Sequence, residues 1–365
     1  MDHKRLVIAS FSHESDLPLA YDVFEGWMWP DITNRLQKRL GASNYEELLM
    51  KLGAACRWIT PYYTGPALPP GAKDRVASPF VRHSLNGAIW GLTPGIHEHG
   101  KQSAGHPLQK AISLEEIADY PSPSPEWFDY EGMVAEAKQK KGYFVVVGGF
   151  TPLFYLISDL RGMEQTLFDL IDRPDLVDAL VRKILEFYKG YFSRIAKAGQ
   201  GVIDAIAFGD DFSSQLNMLL SPGLWRRHFK PAWAELFALA KEYGFRTMFH
   251  SCGSLYPVIP DLIEIGLDVL YPVQPKAKNM DPLSLQDQFG NRLSFYGGLD
   301  VQELVPFGSP QEIQNEIQRL TQAFHHSGGY VLSTSHVIME NFPEENVLAI
   351  YMKQRPGNFA FNSTG

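Results

Sequence analysis

The chain carries the apolar run Val202-Ile203-Asp204-Ala205-Ile206-Ala207-Phe208, then an amphipathic stretch over residues 224–243, and then a second apolar run, Phe245-Arg246-Thr247-Met248-Phe249-His250. Strand-sized apolar runs separated by a helix-sized amphipathic stretch are typical of βαβ units, whose two strands are parallel. We interpret the two runs as neighbouring parallel strands joined by an outer helix.

The same alternation extends in both directions from this unit. It predicts further strands over residues 143–147, 269–273, 293–296 and 330–333, and further helices over residues 175–197, 255–265 and 310–325. Repeated βα units of this kind indicate an α/β fold, a (β/α)8 TIM barrel. We expect residues 1–365 to form a single domain, with an irregular N-terminal part and pocket wall over residues 1–141 and regular βα units over residues 142–365.

Composition and charge limit the classes of function. The chain has 365 residues, of which 45% are hydrophobic and 20% are charged, as in soluble globular enzymes with a sizeable core. A net charge of -8 argues against binding nucleic acid, because that work needs a basic surface. The two cysteines, Cys56 and Cys252, imply no disulfide framework, so we expect a cytoplasmic protein. The charged segment 1–15 predicts neither a signal peptide nor a membrane span.

Candidate metal ligands stand where two predicted strands end. Barrel enzymes place their chemistry in the loops after the strands. His250 and Cys252 are two residues apart and therefore share a strand face, although a structural His and Cys would show the same spacing. His336 follows the last predicted strand and would be a third ligand, leaving an open position as in catalytic zinc sites. The alternative is that His336 forms a hydrogen bond with a substrate or a carboxylate.

Two adjacent acids, Asp210 and Asp211, end another predicted strand. Adjacent strand residues point to opposite faces, so only one of them should reach the pocket, where it could orient a ligand, hold a proton or complete a metal shell. The alternative is a cap on backbone N–H groups. We predict a catalytic role for Asp211, as for His336, and substrate binding for Asp210, Gln274 and Asp300.

Aromatic residues make up 13% of the chain, and many of them lie in its first part. Trp27, Trp58 and Tyr62 are candidate substrate-binding walls of an aromatic pocket. An ordinary core or interface role is the alternative for each.

Several short motifs spread over nearly the whole chain resemble the uroporphyrinogen decarboxylase superfamily, which contains the decarboxylase and zinc-dependent, corrinoid-linked methyltransferases. The motifs are Lys4-Arg5-Leu6, His13-Glu14-Ser15-Asp16-Leu17-Pro18, Trp127-Phe128-Asp129-Tyr130, Arg161-Gly162-Met163-Glu164, Gly209-Asp210-Asp211, Ser221-Pro222, Lys230-Pro231, Gly297-Gly298-Leu299-Asp300, Ser335-His336-Val337-Ile338 and Pro343-Glu344-Glu345-Asn346-Val347. The resemblance implies the barrel fold and a site at the strand ends.

The resemblance favours the methyltransferase branch. The arginine-rich N-terminal signature of the decarboxylase is missing, and Tyr21-Asp22-Val23 stands in that part of the chain. The His-x-Cys motif of the methyltransferases is present as His250 and Cys252, whereas their later Gly-Cys-Gly motif is replaced here by Ser335-His336-Val337. The third zinc ligand would then be the His336 imidazole, which carries one negative charge less than a thiolate and leaves the ion more electrophilic.

The resulting expectation is a zinc-dependent methyltransferase that moves a methyl group between a small substrate, such as a methoxylated aromatic, and a corrinoid (cobalamin) carried by a partner protein. One alternative is a metal-independent decarboxylase that uses Asp211 and His336. Arg57, Arg161 and Arg246 could supply charge for binding carboxylates there, although a helix-face or scaffold role is favoured for each. The other is a noncatalytic binder of a corrinoid or tetrapyrrole. We expect a small methyl donor and a corrinoid protein as partners, a homodimer as an open alternative, and neither nucleic acid nor membrane.

Overall fold

The structure, a computed structural model, describes residues 2–14, 18–67, 89–90, 105–324 and 327–351. Three residues of one motif, Ser15, Asp16 and Leu17, and the last residue of one predicted helix, His325, lie outside these ranges. The strands are β1 (Ala20–Tyr21), β2 (Cys56–Ile59), β3 (Tyr62–Tyr63), β4 (Phe128–Asp129), β5 (Phe144–Gly148), β6 (Ala205–Gly209), β7 (Arg246–His250), β8 (Val269–Val273), β9 (Ser294–Leu299) and β10 (Tyr330–Thr334).

Eight of these strands form one parallel sheet in the order β1-β10-β9-β8-β7-β6-β5-β2. The two end strands meet where the amide of Ala55 donates to the carbonyl oxygen of Tyr21 over 3.1 Å. The sheet therefore curls into a (β/α)8 barrel, as the alternation predicted. Strands β3 and β4 form a separate antiparallel pair.

Helices precede the first strand and connect the later ones. The α-helices are His3–Phe11, Pro30–Leu40, Tyr45–Leu52, Leu114–Asp119, Tyr130–Gln139, Phe154–Arg161, Met163–Asp172, Pro174–Gly199, Pro222–His228, Lys230–Glu242, Ile259–Glu264, Pro282–Phe289, Leu304–Phe307, Pro310–Phe324 and Glu344–Tyr351. None of the helices in the described ranges has both the length and the apolar character that crossing a bilayer requires.

The barrel strands separate two apolar layers, because successive side chains point to opposite faces. On β6, Ile206 and Phe208 face the outer helices, whereas Ala205 and Ala207 face the barrel interior. The interior also holds aromatic side chains from the N-terminal segment, among them Phe24, Trp27 and Trp58. The inward register of each strand therefore determines which of its residues reach the mouth of the barrel.

The buried carboxylate of Asp22, directly after the short strand β1, connects this strand to β2 and β9 through hydrogen bonds. Its Oδ1 accepts from the amide of Cys56 at 3.0 Å, and its Oδ2 accepts from Trp58 Nε1 at 3.2 Å and from the Tyr296 hydroxyl at 2.9 Å. Burial raises the pKa of Asp22 above its ordinary value, although these hydrogen bonds act in the opposite direction.

Two local features differ from the sequence-based expectation. The predicted helix over residues 224–243 is divided into Pro222–His228 and Lys230–Glu242, with Phe229 between them, because Pro231 has no N–H to donate back into the first helix. The segment 1–141, expected to be irregular, supplies β1, β2 and several helices. Its contribution was hard to see because β1 has only 2 residues and β2 only 4.

Candidate active site and metal site

Strand β7 brings His250 into the barrel mouth. Met248 belongs to the interior layer and Phe249 to the outer one, so His250 returns to the interior face. Cys252 follows two residues later, with its Sγ 3.6 Å from His250 Nε2. The two side chains therefore lie together as the sequence indicated, although Cys252 belongs to the loop after β7.

Small side chains on the neighbouring strand make room for the imidazole. Strand β6 presents Ala205, Ala207 and then Gly209 to the interior, and Gly209 pairs with His250 in the sheet. A Cβ atom at Gly209 would lie 2.7 Å from the Cβ of His250, which is closer than such atoms approach. Glycine at this point allows the His250 side chain to lie against β6.

The two adjacent acids point in different directions, as the strand alternation predicted. Asp210 is fully buried, and its carboxylate accepts from the amides of Phe154 at 2.8 Å and Tyr155 at 3.0 Å. Burial raises the pKa of Asp210 to about 7. Asp210 thus has the capping role left open as its alternative. The Oδ1 of Asp211 instead accepts from the Cys252 amide at 2.8 Å and lies 3.8 Å from His250 Nε2.

One ligand atom from each of Asp211, His250 and Cys252 lies within 4.8 Å of the others. Carboxylate oxygen, imidazole nitrogen and thiolate sulfur are all zinc donors, so this group fits the ion that the sequence suggested. Three protein ligands also leave a position free for a substrate. His336 is not part of this group.

His336 nevertheless faces the same region. Its ring stacks on Phe24 with a centroid distance of 5.6 Å and an interplanar angle of 18°, and Phe24 lies 5.9 Å from the His250 ring. Burial and the neighbouring His250 lower the pKa of His336, which favours a neutral imidazole.

Electrostatic coupling links the other members of the site. Burial opposes protonation of His250, but Cys252 and the Glu25 carboxylate outweigh it, so the pKa of His250 is raised. Burial and the charge of Asp211 raise the pKa of the Cys252 thiol, although His250 acts in the opposite direction. A cation between these groups would favour the thiolate and the neutral imidazole that metal binding requires.

Glu25 is a site residue that the sequence pattern did not predict. This residue lies in the 3₁₀ turn Phe24–Gly26 after β1, is 7% exposed, and has its Oε1 3.1 Å from His250 Nδ1. The one available signal was a charged residue inside the apolar stretch from Val23 to Trp27. No periodic pattern shows that this turn reaches across the barrel to β7.

The predicted aromatic walls divide into two groups. Trp27 and Trp58 are buried in the barrel interior, where Trp58 packs against Tyr271 at 5.3 Å, and the Tyr271 ring lies 5.3 Å from that of His250. Tyr62 lies on β3 with 41% exposure, and its hydroxyl donates to Glu136. The structure therefore places the two tryptophans in the buried barrel interior and Tyr62 on a surface strand pair.

Gln274 and Asp300, predicted to bind substrate, hold loops at the strand ends. Gln274 Oε1 accepts from the Gly253 amide at 2.9 Å and from Gln215 Nε2 at 2.7 Å. Asp300 accepts from three backbone amides that follow it, those of Gln302, Glu303 and Leu304. Gln274 thus anchors the loop after His250-Ser251-Cys252, and Asp300 orders the loop after β9.

The three arginines considered for carboxylate binding are part of the scaffold. Arg57 donates to Glu46 and to the carbonyl oxygens of residues 54 and 56. Arg161 pairs with the buried Asp169 and donates to the carbonyl oxygens of residues 108 and 111. Arg246 donates to the Ser12 hydroxyl at the opposite end of β7 from His250. None of the three supplies positive charge to the donor group.

The fold and the donor group together define a (β/α)8-barrel protein with a group of possible metal ligands after its strands. The sequence matches the uroporphyrinogen decarboxylase (URO-D) family over residues 112–353. The chain belongs to this family, and the suspected placement is confirmed.

Two similar proteins come from Methanosarcina mazei. The methylated-thiol–coenzyme M methyltransferase is 23% identical over 215 residues, which are 58% of this chain and 53% of that protein. The chain thus spans about half the length of the curated relative it matches. A solved structure of a methyltransferase superimposes with a TM-score of 0.66 at 20% identity, covering 96% of this chain and 97% of the other, and shows that the two share a fold.

Proposed function

We propose that this protein is a zinc-dependent methyltransferase that moves a methyl group between a small substrate and a corrinoid carried by a partner protein. The observation that carries the proposal is the group of Asp211, His250 and Cys252, whose ligand atoms lie within 4.8 Å of one another at the barrel mouth. When bound, zinc lowers the pKa of a thiol, alcohol or water and so supplies a reactive anion near neutral pH.

Each residue of the site has a separate task in this proposal. Cys252 and His250 provide the sulfur and nitrogen donors, and Asp211 provides an oxygen donor. The Oδ1 of Asp211 also accepts a hydrogen bond from the Cys252 amide and so holds the loop that carries Cys252. His336, kept neutral by burial, forms a hydrogen bond with the oxygen or sulfur of the substrate. The aromatic rings of Phe24, Phe150 and Tyr271 surround His250 and exclude water from it.

The C–O or C–S bond of the methyl donor breaks, and its electron pair stays with oxygen or sulfur. The corrinoid, as cosubstrate, supplies from cobalt(I) the pair that forms the new cobalt–carbon bond. The name of the similar Methanosarcina mazei enzyme supports a methylated thiol as one donor, and the aromatic lining supports a methoxylated aromatic as another.

A methyl-transfer assay tests this proposal. Zinc-loaded protein is mixed with cob(I)alamin and either a methylated thiol or a methoxylated aromatic, and methylcobalamin formation is followed by absorbance. We expect turnover with one donor class and none with C252S. C56S is the matched control, because Cys56 is buried at the start of β2 and is not part of the donor group. Equal rates for C252S and the native protein would contradict the proposal.

A further inference from the structure

We propose that Glu25 is the positioning residue of the metal site and determines which nitrogen of His250 is available to the ion. The inference rests on the proposed zinc function. Its geometric basis is the pair of buried atoms Glu25 Oε1 and His250 Nδ1, which are 3.1 Å apart. A carboxylate at this distance accepts the Nδ1–H, and Nε2 then keeps its lone pair.

The orientation that results points Nε2 at the other ligands. His250 Nε2 lies 3.6 Å from Cys252 Sγ and 3.8 Å from Asp211 Oδ1. The rings of Phe150 and Tyr271 pack edge-on against the imidazole and restrict its plane, but ring-to-ring contacts of this kind do not distinguish one nitrogen from the other. The Glu25 carboxylate makes that distinction.

Two features of Glu25 are energetically unfavourable. Its backbone is left-handed, with φ 47° and ψ 23°, a conformation that costs a residue with a side chain about 1–3 kcal/mol. Its carboxylate is also buried, which is unfavourable for a charged group. A fold that needed only the turn would be better served by glycine. The benefit therefore lies in the carboxylate, which contacts the His250 imidazole and the Tyr271 hydroxyl.

The backbone turn has a second role that explains its shape. Gly26, the next residue, is also left-handed, and a Cβ there would lie 3.2 Å from Trp58. The turn thus packs tightly on the barrel interior and carries Phe24 against the rings of His250 and His336. This arrangement leaves Glu25 directed at β7.

A second buried histidine provides a matched control within the same chain. His228 has its Nδ1 2.7 Å from Asp178 Oδ1, and both residues lie on outer helices rather than at the barrel mouth. Removing Asp178 deletes the carboxylate partner of a buried imidazole without touching the donor group. Any general effect of losing such a pair appears in this variant too.

The test is the zinc affinity of the native chain, E25A, E25Q, E25G and D178A, measured by competition with a chromophoric chelator. We expect binding by E25A to be about 10–100-fold weaker, as for other outer partners of metal-bound histidines. E25Q should be intermediate, because the amide oxygen still accepts a hydrogen bond without carrying the charge. D178A should bind within about twofold of the native chain. Cobalt(II) absorption reports whether Cys252 still binds in each variant.

The outcomes separate this inference from the proposed function. Absence of zinc binding by the native chain overturns the metal site itself. Native affinity in folded E25A, or in E25Q and E25G if E25A does not fold, overturns the role of Glu25 and leaves the metal site intact. Urea unfolding of the metal-free proteins gives a further check: E25G relieves the left-handed strain but loses the contact with His250, so its loss of stability should not exceed that of D178A, which also loses a carboxylate–histidine pair. A loss of stability in E25A, E25Q and E25G that is much larger than in D178A would show a structural role and overturn the inference.

Discussion

Asp210 and Asp211 adjoin in the chain, but their carboxylates have separate tasks. Asp210 caps the amides of Phe154 and Tyr155, and Asp211 contacts the Cys252 loop. We expect D211N to lower zinc affinity by about tenfold or more, because a ligand is lost. D210N should retain zinc and lose about 1–2 kcal/mol of stability through its weaker cap.

Chelator competition and urea unfolding measure the two effects on the same preparations. If both variants lost the same property to the same degree, the division of tasks between Asp210 and Asp211 would be wrong.

His336 is expected to act on the substrate rather than on the ion. It stacks on Phe24 and lies outside the group of three ligand atoms. We predict that H336A retains its zinc and loses about 10²-fold or more in methyl-transfer rate, the usual size of an acid–base or hydrogen-bonding contribution. Metal analysis beside the rate assay is the measurement. A loss of zinc like that of C252S would instead make His336 a ligand, as the sequence motif suggested.

Much of the site could be predicted at the scale of single residues. Strand alternation predicted that His250 and Cys252 lie together and that Asp210 and Asp211 diverge, and the side chains do so although three of these residues lie just beyond the strand ends. Glu25 could not be found in this way. It belongs to a turn, and its contact with His250 depends on how that turn crosses the closed barrel.

At the scale of elements, strand β6 shapes the site because it has a glycine, with no side chain, beside His250. Gly209 lies where a Cβ would be 2.7 Å from the Cβ of His250. We expect G209A to displace His250, to cost about 1–3 kcal/mol of stability, and to weaken zinc binding. The control is G142A, since nothing lies within 4 Å of a Cβ at Gly142. Unchanged zinc affinity in G209A would show that the imidazole can move without loss.

The closure of the barrel at Asp22 leads to a pH-dependent stability. Because the pKa of Asp22 is raised in the folded state, the unfolded chain loses this proton at a lower pH. The stability that protonated Asp22 provides is complete below about pH 4 and declines as pH rises towards the folded-state pKa. As pH rises through this range, the free energy of unfolding of the native chain should therefore fall relative to that of D22N, by up to about 1.4 kcal/mol per pH unit.

Urea unfolding of both proteins at several values between about pH 4 and pH 7 measures this difference. Parallel curves, or a native chain that gains on D22N as pH rises, would contradict the assignment.

The elements that could be predicted are those with strong apolar runs. Strands β5 to β10 follow the expected runs closely, because each is buried on both faces and flanked by turn residues. Strands β1 and β2 could not be predicted, because 2 and 4 residues are too few to show a periodic pattern. Tertiary contacts, above all the Asp22 carboxylate and the bond from Ala55 to Tyr21, hold them in the barrel.

For the whole molecule, the net charge and the charged side chains in the described part of the chain disfavour a polycarboxylate substrate. The net charge is -8, and Glu25 and Asp211 add acidic groups at the donor site. The buried Arg57 and Arg161 are used in the scaffold, where they hold acidic partners and backbone carbonyls. A barrel of the URO-D family thus has here a site better suited to a cation than to several carboxylates.

Zinc content is the measurement that tests the central claim most directly. The native chain, C252S and C56S are purified without added metal, and zinc per chain is determined by mass spectrometry beside circular dichroism. We predict near-stoichiometric zinc in the native chain and in C56S, and a large loss in C252S. A folded native chain without metal, or a C252S variant that retains its zinc, would contradict the account and bring simple ligand binding or metal-independent decarboxylation to the front.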